Sequence, residues 1–344
     1  MKVIGGKTVF LRRSRGYVPE PIHLNFRSEE VVLALGAEEN VTASLLVGDR
    51  CFVSQHIGNT GKLDTLMYLR EGVSKLMRMF GVKSVNVVAH DLNPQYPTTK
   101  LAEELAMKFG AERRAVQHHH AHLCSLMAER GLERIVGIAC DGAGYGSDGT
   151  VWGGEVMFAT FESFQRVGGL KPQPMPGGDL ATIFPARMVA GILWGVLGRE
   201  ELHDVLNEFC ASGFRHGSKE IEVVLKQLEM GRNVVNSSSC GRVLDAVACL
   251  LGICYERTYE GEPAMKLEAV AEGGDPRELE IELEVIDDHA AKFVDTSKLL
   301  LEVVESFRAK VARKHIAAAA QQAIAKALAS IAIETAYELS LIHI

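Results

Sequence analysis

Long apolar runs and a signal-peptide core are both missing from this 344-residue sequence. No window reaches the roughly 18 consecutive apolar residues of a membrane span. The first residues also lack the apolar stretch of a secretory signal. The alanine-rich stretch 316–336 comes closest, but Gln321, Gln322, Lys326 and Glu334 interrupt it, so we expect a buried amphipathic helix there. These absences predict a cytoplasmic protein with no membrane partner.

Paired cysteines and an excess of basic residues are missing as well. The seven cysteines are odd in number and scattered, with no CxxC pair, which favours reduced thiols over a disulfide framework or a zinc ribbon. The formal net charge is −7, so no nucleic-acid partner is expected. With 47% hydrophobic and 24% charged residues, the chain has the composition of a globular protein long enough for two domains.

Hydrophobic periodicity predicts an alternation of strands and helices. The first part of the chain is expected to hold strands within 31–36 and 42–57, with a turn at Gly48-Asp49, a helix at 63–80, a strand at 85–89, a helix at 98–109 capped by Thr98-Thr99, and a helix from the histidine cluster to about 129. The second part is expected to hold strands at 135–140 and 150–159, a mostly helical region at 180–270, a strand at 278–286, and helices at 296–309 and 311–335.

A strand–turn–strand unit occurs near residue 31 and again near residue 135, which indicates a weak internal duplication. The resulting prediction is an α/β protein with two subdomains, 29–132 and 133–340, the second carrying the helical insertion 180–270. Residues 1–28 are predicted to be an irregular linker or docking segment. A cluster of basic residues lies within it, at Arg12, Arg13 and Arg15.

The segment 141–155 is rich in glycine and follows a buried strand. Glycines at alternate positions let the backbone approach a ligand and direct N–H groups at phosphate oxygens. Asp141, at the end of the strand, could bind a hard cation or orient a water molecule. The alternative is a hairpin that only turns the chain. The candidate phosphate contacts are Gly142, Gly144, Tyr145 and Gly146.

Four histidines lie within residues 118–122. On a helix, His118 and His122 would share one face, one turn apart, and could hold one metal ion, with Asp141 closing the site. Two histidines and a carboxylate suit iron(II) or zinc. His119 and His120 leave a register one residue away open, and a histidine-rich helix start with no ligand role is the other alternative.

His90 and Asp91 end a predicted strand. Ligand groups in α/β proteins lie at the carboxyl ends of parallel strands, so both are candidate catalytic residues. The alternative is that Asp91 only caps the turn before Asn93-Pro94.

Two further turns could contact a nucleotide. Gly178 and Asp179 belong to a Pro-Gly-Gly-Asp turn. Ser239, Gly241 and Asp245 lie at a helix start, where a serine and unpaired N–H groups could receive an anion or a ribose. Either turn could instead be an ordinary helix cap.

In their order along the chain, these motifs resemble the HypF-type carbamoyltransferases of [NiFe]-hydrogenase maturation. The similar segments are 12–21, 35–38, 54–58, 90–94, 118–122, 141–155, 176–179, 238–246 and 259–268.

The resemblance implies an actin-like ATPase fold, a duplicated RNase H-like architecture shared with the tRNA threonylcarbamoyl-transferases. It also implies carbamoyl transfer from carbamoyl-adenylate, made from carbamoyl phosphate and ATP, to the C-terminal cysteine of HypE, for synthesis of the hydrogenase cyanide ligands. By the same resemblance His118, His122 and Asp141 are ligands of one divalent metal, iron or zinc, and the turn 142–146 contacts nucleotide phosphates. Mg²⁺ is a possible companion of ATP.

The sequence also departs from the family. The acylphosphatase-like domain, the zinc fingers and the adenylate-forming domain have no counterpart, and Leu341–Ile344 stands where the family continues into a Ser-Gly-Gly-Val loop and a further metal-binding Asp. One alternative is therefore a catalytically incompetent nucleotide-binding or docking fragment. Another is a tRNA threonylcarbamoyl-transferase-like or sugar-kinase-like enzyme, against which the acidic balance and Trp152–Glu155 argue.

Overall fold

A computed structural model describes residues 17–288 and 290–341, together with the backbone of 2–4 and 7–9. The chain divides into two compact units, Met1–Glu133 and Arg134–Ile344. The predicted basic residues Arg12, Arg13 and Arg15 and the terminal segment 342–344 lie outside the described residues.

The first unit is built on a six-stranded sheet in the order β3-β6-β5-β4-β7-β8. The pairs β4–β7 and β7–β8 are parallel, whereas β3–β6, β6–β5 and β5–β4 are antiparallel. The strands are β3 Ile22–His23, β4 Val32–Ala34, β5 Ser44–Val47, β6 Arg50–Val53, β7 Val87–Asp91 and β8 Glu112–Val116, and β1 Lys2–Ile4 pairs separately with β2 Lys7–Val9. The presence of β3 in the sheet corrects the prediction that residues 1–28 are irregular throughout.

The described residues of this unit form three helices: α1 Leu63–Met79, α2 Pro97–Phe109 and α3 His118–Arg130. α1 forms where predicted, because Leu69, Val73, Leu76 and Met77 recur at helical spacing and are buried. The predicted Thr98-Thr99 cap is wrong. α2 begins at Pro97, and the hydroxyl of Thr99 donates from the first turn to the Asn93 carbonyl oxygen (2.7 Å).

The second unit contains a seven-stranded sheet in the order β12-β13-β10-β11-β15-β14, with β9 paired antiparallel to β10. Its strands are β9 Arg134–Tyr145, β10 Val151–Thr160, β11 Phe164–Leu170, β12 Gln173–Pro176, β13 Val234–Ser237, β14 Val285–Asp287 and β15 Lys292–Val294. Sequence periodicity missed β11, β12, β13 and β15. The predicted strand at 278–286 is also wrong over most of its length, since 276–278 is a 3-10 helix and, within the predicted range, only the residues of β14 pair in the sheet.

The helices of the second unit pack around one hydrophobic core. They are α4 Asp179–Ile183, α5 Ala186–Leu193, α6 Arg199–Phe209, α7 Ser218–Met230, α8 Cys240–Leu250, α9 Glu262–Ala271, α10 Ser297–Arg308 and α11 Arg313–Glu338. By length and composition α11 could cross a membrane, with a mean hydropathy of 1.5 over its most apolar window. Its inner face, including Ile316, Leu328 and Ile331, is buried in the core, as expected for an amphipathic core helix. The two sheets with their helices confirm the α/β fold class.

Candidate functional site

The N-terminus of α3 brings two histidines together in the first unit. Gln117 is the N-cap residue, and its side-chain oxygen accepts a hydrogen bond from the backbone N–H of His120 (2.9 Å). This cap fixes the first turn, so His118 and His122 lie on one face with their Nε2 atoms 3.2 Å apart. Two imidazole nitrogens that converge in this way could supply two ligands to one metal ion.

Asp91, at the end of β7, orients His118. Its Oδ2 lies 2.7 Å from His118 Nδ1, and its side chain is 4% exposed. Its Oδ1 accepts the backbone N–H of Asn93 (2.8 Å). A carboxylate only accepts hydrogen bonds, so His118 Nδ1 carries the proton and the lone pair lies on Nε2, towards His122. This carboxylate–histidine arrangement is typical of metal-binding histidines.

The neighbouring histidines have other roles. His119 is fully buried, and its Nδ1 lies 3.1 Å from Gln117 Nε2. His90 is also buried, and its Nδ1 donates to the Asp91 carbonyl oxygen (2.7 Å). Among the histidines of α3, His118 and His122 are therefore the pair whose ring nitrogens converge on each other. Asp91 also caps the turn before Asn93-Pro94, because its Oδ1 accepts the backbone N–H of Asn93.

Replacing Asp91 with asparagine is expected to weaken metal binding about 10- to 100-fold, because the neutral amide lowers the basicity of His118 and no longer fixes its tautomer. Competition with a chromogenic chelator would measure the affinity. Asn93→Ala, which keeps the carboxylate, is the matched control. An Asp91→Asn chain with unchanged affinity would contradict the orienting role.

In the second unit, β9 and β10 form a hairpin whose turn lies later than predicted. β9 continues through Gly142, Gly144 and Tyr145, and the chain turns only at 146–150. The prediction of a glycine turn at 142–146 is therefore corrected. A Cβ on Gly146 would lie 2.4 Å from Trp152 Nε1, so this glycine is required by the packing of the hairpin itself.

The N-terminus of α8 packs directly on β9. The hydroxyl of Ser239 donates to the Gly142 carbonyl oxygen (2.6 Å) and accepts the backbone N–H of Arg242 (3.1 Å), so Ser239 is the helix cap. A Cβ on Gly241 would lie 2.9 Å from the Cα of Gly142. Both predicted residues thus hold α8 against the strand that ends at the glycine-rich segment, and a nucleotide contact by either stays a prediction.

Glu155 is a buried carboxylate next to the N-terminus of α8. It is fully buried, accepts hydrogen bonds from the Ser238 hydroxyl and from Arg166 Nε, and lies on β10. Burial raises the pKa of Glu155, and the Arg166 charge opposes the shift. Sequence reasoning noted Glu155 but missed Arg166, because only the pairing of β10 with β11 brings the two together.

Asp245 lies one turn further along α8 and is also fully buried. Its Oδ2 is 2.8 Å from Arg242 Nη2, and no described residue gives its carboxylate a well-formed hydrogen bond. Burial raises the pKa of Asp245 to about 6, against the opposing charges of Arg242 and Arg257. A buried carboxylate with unused acceptor capacity is suited to a hydroxyl or amine of a ligand.

Gly178 and Asp179 begin α4. Gly177 and Gly178 have φ of 92° and 55°, a region that favours glycine, and the Gly177 N–H donates to the Asn233 carbonyl oxygen (2.7 Å). The second unit thus contains the predicted phosphate contacts and Asp141, whereas the two histidines and Asp91 belong to the first. The membership of Asp141 in the metal site stays a prediction.

Comparison with known proteins shows one family along both units. The family model described as the second subdomain of the Kae1-like domain of carbamoyltransferases matches residues 137–344. A model described as the HypF Kae1-like domain matches residues 27–129. A probable carbamoyltransferase HypF of Methanocaldococcus jannaschii is 43% identical over 272 residues, which cover 79% of this chain and 35% of the relative. The carbamoyltransferase HypF2 of Cupriavidus necator is 41% identical, over 76% of this chain and 31% of the relative.

Solved structures agree. The crystal structure of T. kodakarensis HypF is similar with a TM-score of 0.90 and 40% identity, over 98% of this chain and 43% of that one. Full-length HypF in its phosphate- and nucleotide-bound form is similar with a TM-score of 0.85 and 32% identity, over 95% and 41%. The chain spans about a third of the length of these curated relatives, and it belongs to the HypF carbamoyltransferase family, whose Kae1-like domain it represents.

Proposed function

We propose that the chain transfers a carbamoyl group from carbamoyl-adenylate to the C-terminal cysteine of HypE, in the synthesis of the cyanide ligands of [NiFe]-hydrogenase. Carbamoyl phosphate and ATP supply the adenylate in the whole protein, and the cytoplasm is the proposed location. The observation that carries the proposal is the convergence of His118 and His122, with Asp91 fixing the proton of His118, in a chain of this family.

The donor set fits a divalent metal of borderline softness, iron or zinc. His118 and His122 would hold it, with Asp141 as the proposed further ligand, and the metal would supply Lewis-acid stabilisation of phosphate charge. Gly142, Gly144, Tyr145, Gly146, Gly178, Asp179, Ser239, Gly241 and Asp245 are the proposed nucleotide contacts, and Mg²⁺ could accompany ATP. The phosphate- and nucleotide-bound state of a similar HypF structure supports a nucleotide ligand.

The proposed reaction is an acyl transfer. The cysteine thiolate of HypE attacks the carbamoyl carbon, the bond between that carbon and the phosphate oxygen of the adenylate breaks, and AMP leaves with the bonding electron pair. The product is a carbamoylated cysteine. Of the original catalytic candidates, Asp91 acts on this chemistry through His118, and a direct catalytic role for His90 remains a proposal.

Carbamoyl transfer can be assayed with synthetic carbamoyl-adenylate and a peptide ending in the HypE C-terminal sequence. We expect carbamoylation of the peptide cysteine, detected by mass spectrometry, and none when serine replaces that cysteine. A chain that binds metal and nucleotide but leaves the peptide unmodified would instead support the nucleotide-binding or docking alternative. Modification of tRNA under the same conditions would support the threonylcarbamoyl-transferase alternative.

A further inference from the structure

A cavity of about 520 Å³ lies in the helical region of the second unit, outside the residues assigned above. Its apolar wall is formed by Leu180 and Phe184, which follow the Pro-Gly-Gly-Asp turn, and by Val223 on α7. Leu180 and Val223 are 44% and 53% exposed. The volume falls within the range of small-molecule sites, and the apolar wall offers a surface for the uncharged part of a ligand.

One buried cation in this cavity has unused hydrogen-bonding capacity. The Arg187 side chain is 7% exposed, and its Nη2 pairs with Glu220 Oε1 (2.5 Å). Its Nε, however, is buried and has no acceptor among the described residues. Buried guanidinium donors are nearly always satisfied by protein groups or ordered water, so the Arg187 Nε–H keeps capacity for one further acceptor.

Three further basic side chains line the same cavity. Lys219 and the ring of His216 make no hydrogen bond or ion pair with any described residue. The Arg215 guanidinium lies 4.6 Å from the centre of the Phe184 ring and pairs with Glu256 (2.6 Å). Because both side chains of that pair are about half exposed, the pair is weak and can yield to a ligand. Glu220 is the one acidic residue in the lining, so the cavity carries excess positive charge.

We propose that this cavity binds a phosphate monoester, with its organic part against Phe184 and its phosphate among Arg215, Lys219 and Arg187. A phosphate dianion offers three charged acceptor oxygens, which match several cationic donors better than a single carboxylate does. The proposal does not depend on the carbamoyl-transfer function, since none of these residues belongs to the proposed metal or nucleotide contacts.

Isothermal titration calorimetry with phenyl phosphate, at constant ionic strength, tests the proposal on the chain as it is. We expect saturable binding, tighter than that of inorganic phosphate because the ring adds apolar contact. Lys219→Ala and Arg215→Ala are each expected to weaken it about tenfold through loss of a charged hydrogen bond. Both residues are on the surface side of the cavity, so these variants should fold. Lys226→Ala, which removes an exposed lysine of α7 outside the cavity, is the matched control.

Three results would overturn the assignment: no saturable binding, an equal loss in Lys226→Ala, or binding that Lys219→Ala leaves intact while Asp141→Asn removes it. The last would place phenyl phosphate at the proposed metal site, to which Asp141 belongs. Retained binding in Asp141→Asn together with a loss in Lys219→Ala would support the cavity, whatever the outcome of the carbamoyl-transfer assay.

Discussion

The unchanged chain is expected to retain one divalent metal, and the His118→Ala chain is expected to lose it. The two Nε2 atoms are 3.2 Å apart, so each histidine would supply one of two neighbouring imidazole ligands. A single remaining imidazole binds the metal far more weakly than the pair, because the second ligand is no longer held nearby at high effective concentration. His122→Ala should have the same effect. Elemental analysis of chain purified without a histidine tag would show about one equivalent of iron or zinc falling to near zero.

His203→Ala is the control for this experiment. His203 also lies on a helix, α6, with its side chain one-third exposed and near Asn207, but it belongs to no proposed site. Far-ultraviolet circular dichroism would verify that all variants fold. Metal retained in a folded His118→Ala chain would contradict the ligand assignment, and Asp141→Ala would then test whether the third proposed ligand contributes at all.

Replacing Arg242 with alanine is expected to destabilise the second unit by about 3–5 kcal/mol, because it leaves the Asp245 carboxylate buried without its ion-pair partner. Arg242 Nη2 lies 2.8 Å from Asp245 Oδ2, and both side chains are almost completely buried. Urea unfolding at pH 8 would measure the loss. Arg199→Ala, which breaks a pair with Glu222 between side chains 38% and 47% exposed, should cost at most about 1 kcal/mol.

The double variant Arg242→Ala with Asp245→Asn separates charge from packing. If the unpaired carboxylate causes the loss, the neutral amide should restore much of the stability. If the loss of unfolding free energy in the double variant equals the sum of the losses in the two single variants, a direct interaction between Arg242 and Asp245 is contradicted.

The same pair predicts a dependence on pH. Burial raises the pKa of Asp245 to about 6, above the ordinary value of about 4 for the unfolded chain. The folded chain therefore holds this proton more tightly, and the associated stability is present below pH about 4 and lost as the pH rises through about 6. Between pH about 4 and pH about 6, the free energy of unfolding of the unchanged chain should fall by about 3 kcal/mol relative to that of Asp245→Asn. An identical pH profile for the two chains would contradict the raised pKa.

Local sequence alone predicted helices α1, α2, α3, α10 and α11 and the hairpin β5–β6. It also predicted that His118 and His122 share one face of α3. Each of these depends on the spacing of residues only a few positions apart, which the printed sequence displays. The ordered motifs were likewise sufficient for the family, because several short segments in a fixed order carry more information than any one of them.

Tertiary structure decided what these elements contact. The partnership of Asp91 with His118 joins residues 27 positions apart, and strand pairing alone brings Arg166 to Glu155. The residue types of Ser239 and Gly241 suggested a ligand site. In the structure, Gly241 also allows α8 to pack closely on β9, and Ser239 caps the N-terminus of α8. Neighbouring strands and helices supply these partners from distant parts of the chain, and local periodicity carries no record of which distant segment will pair.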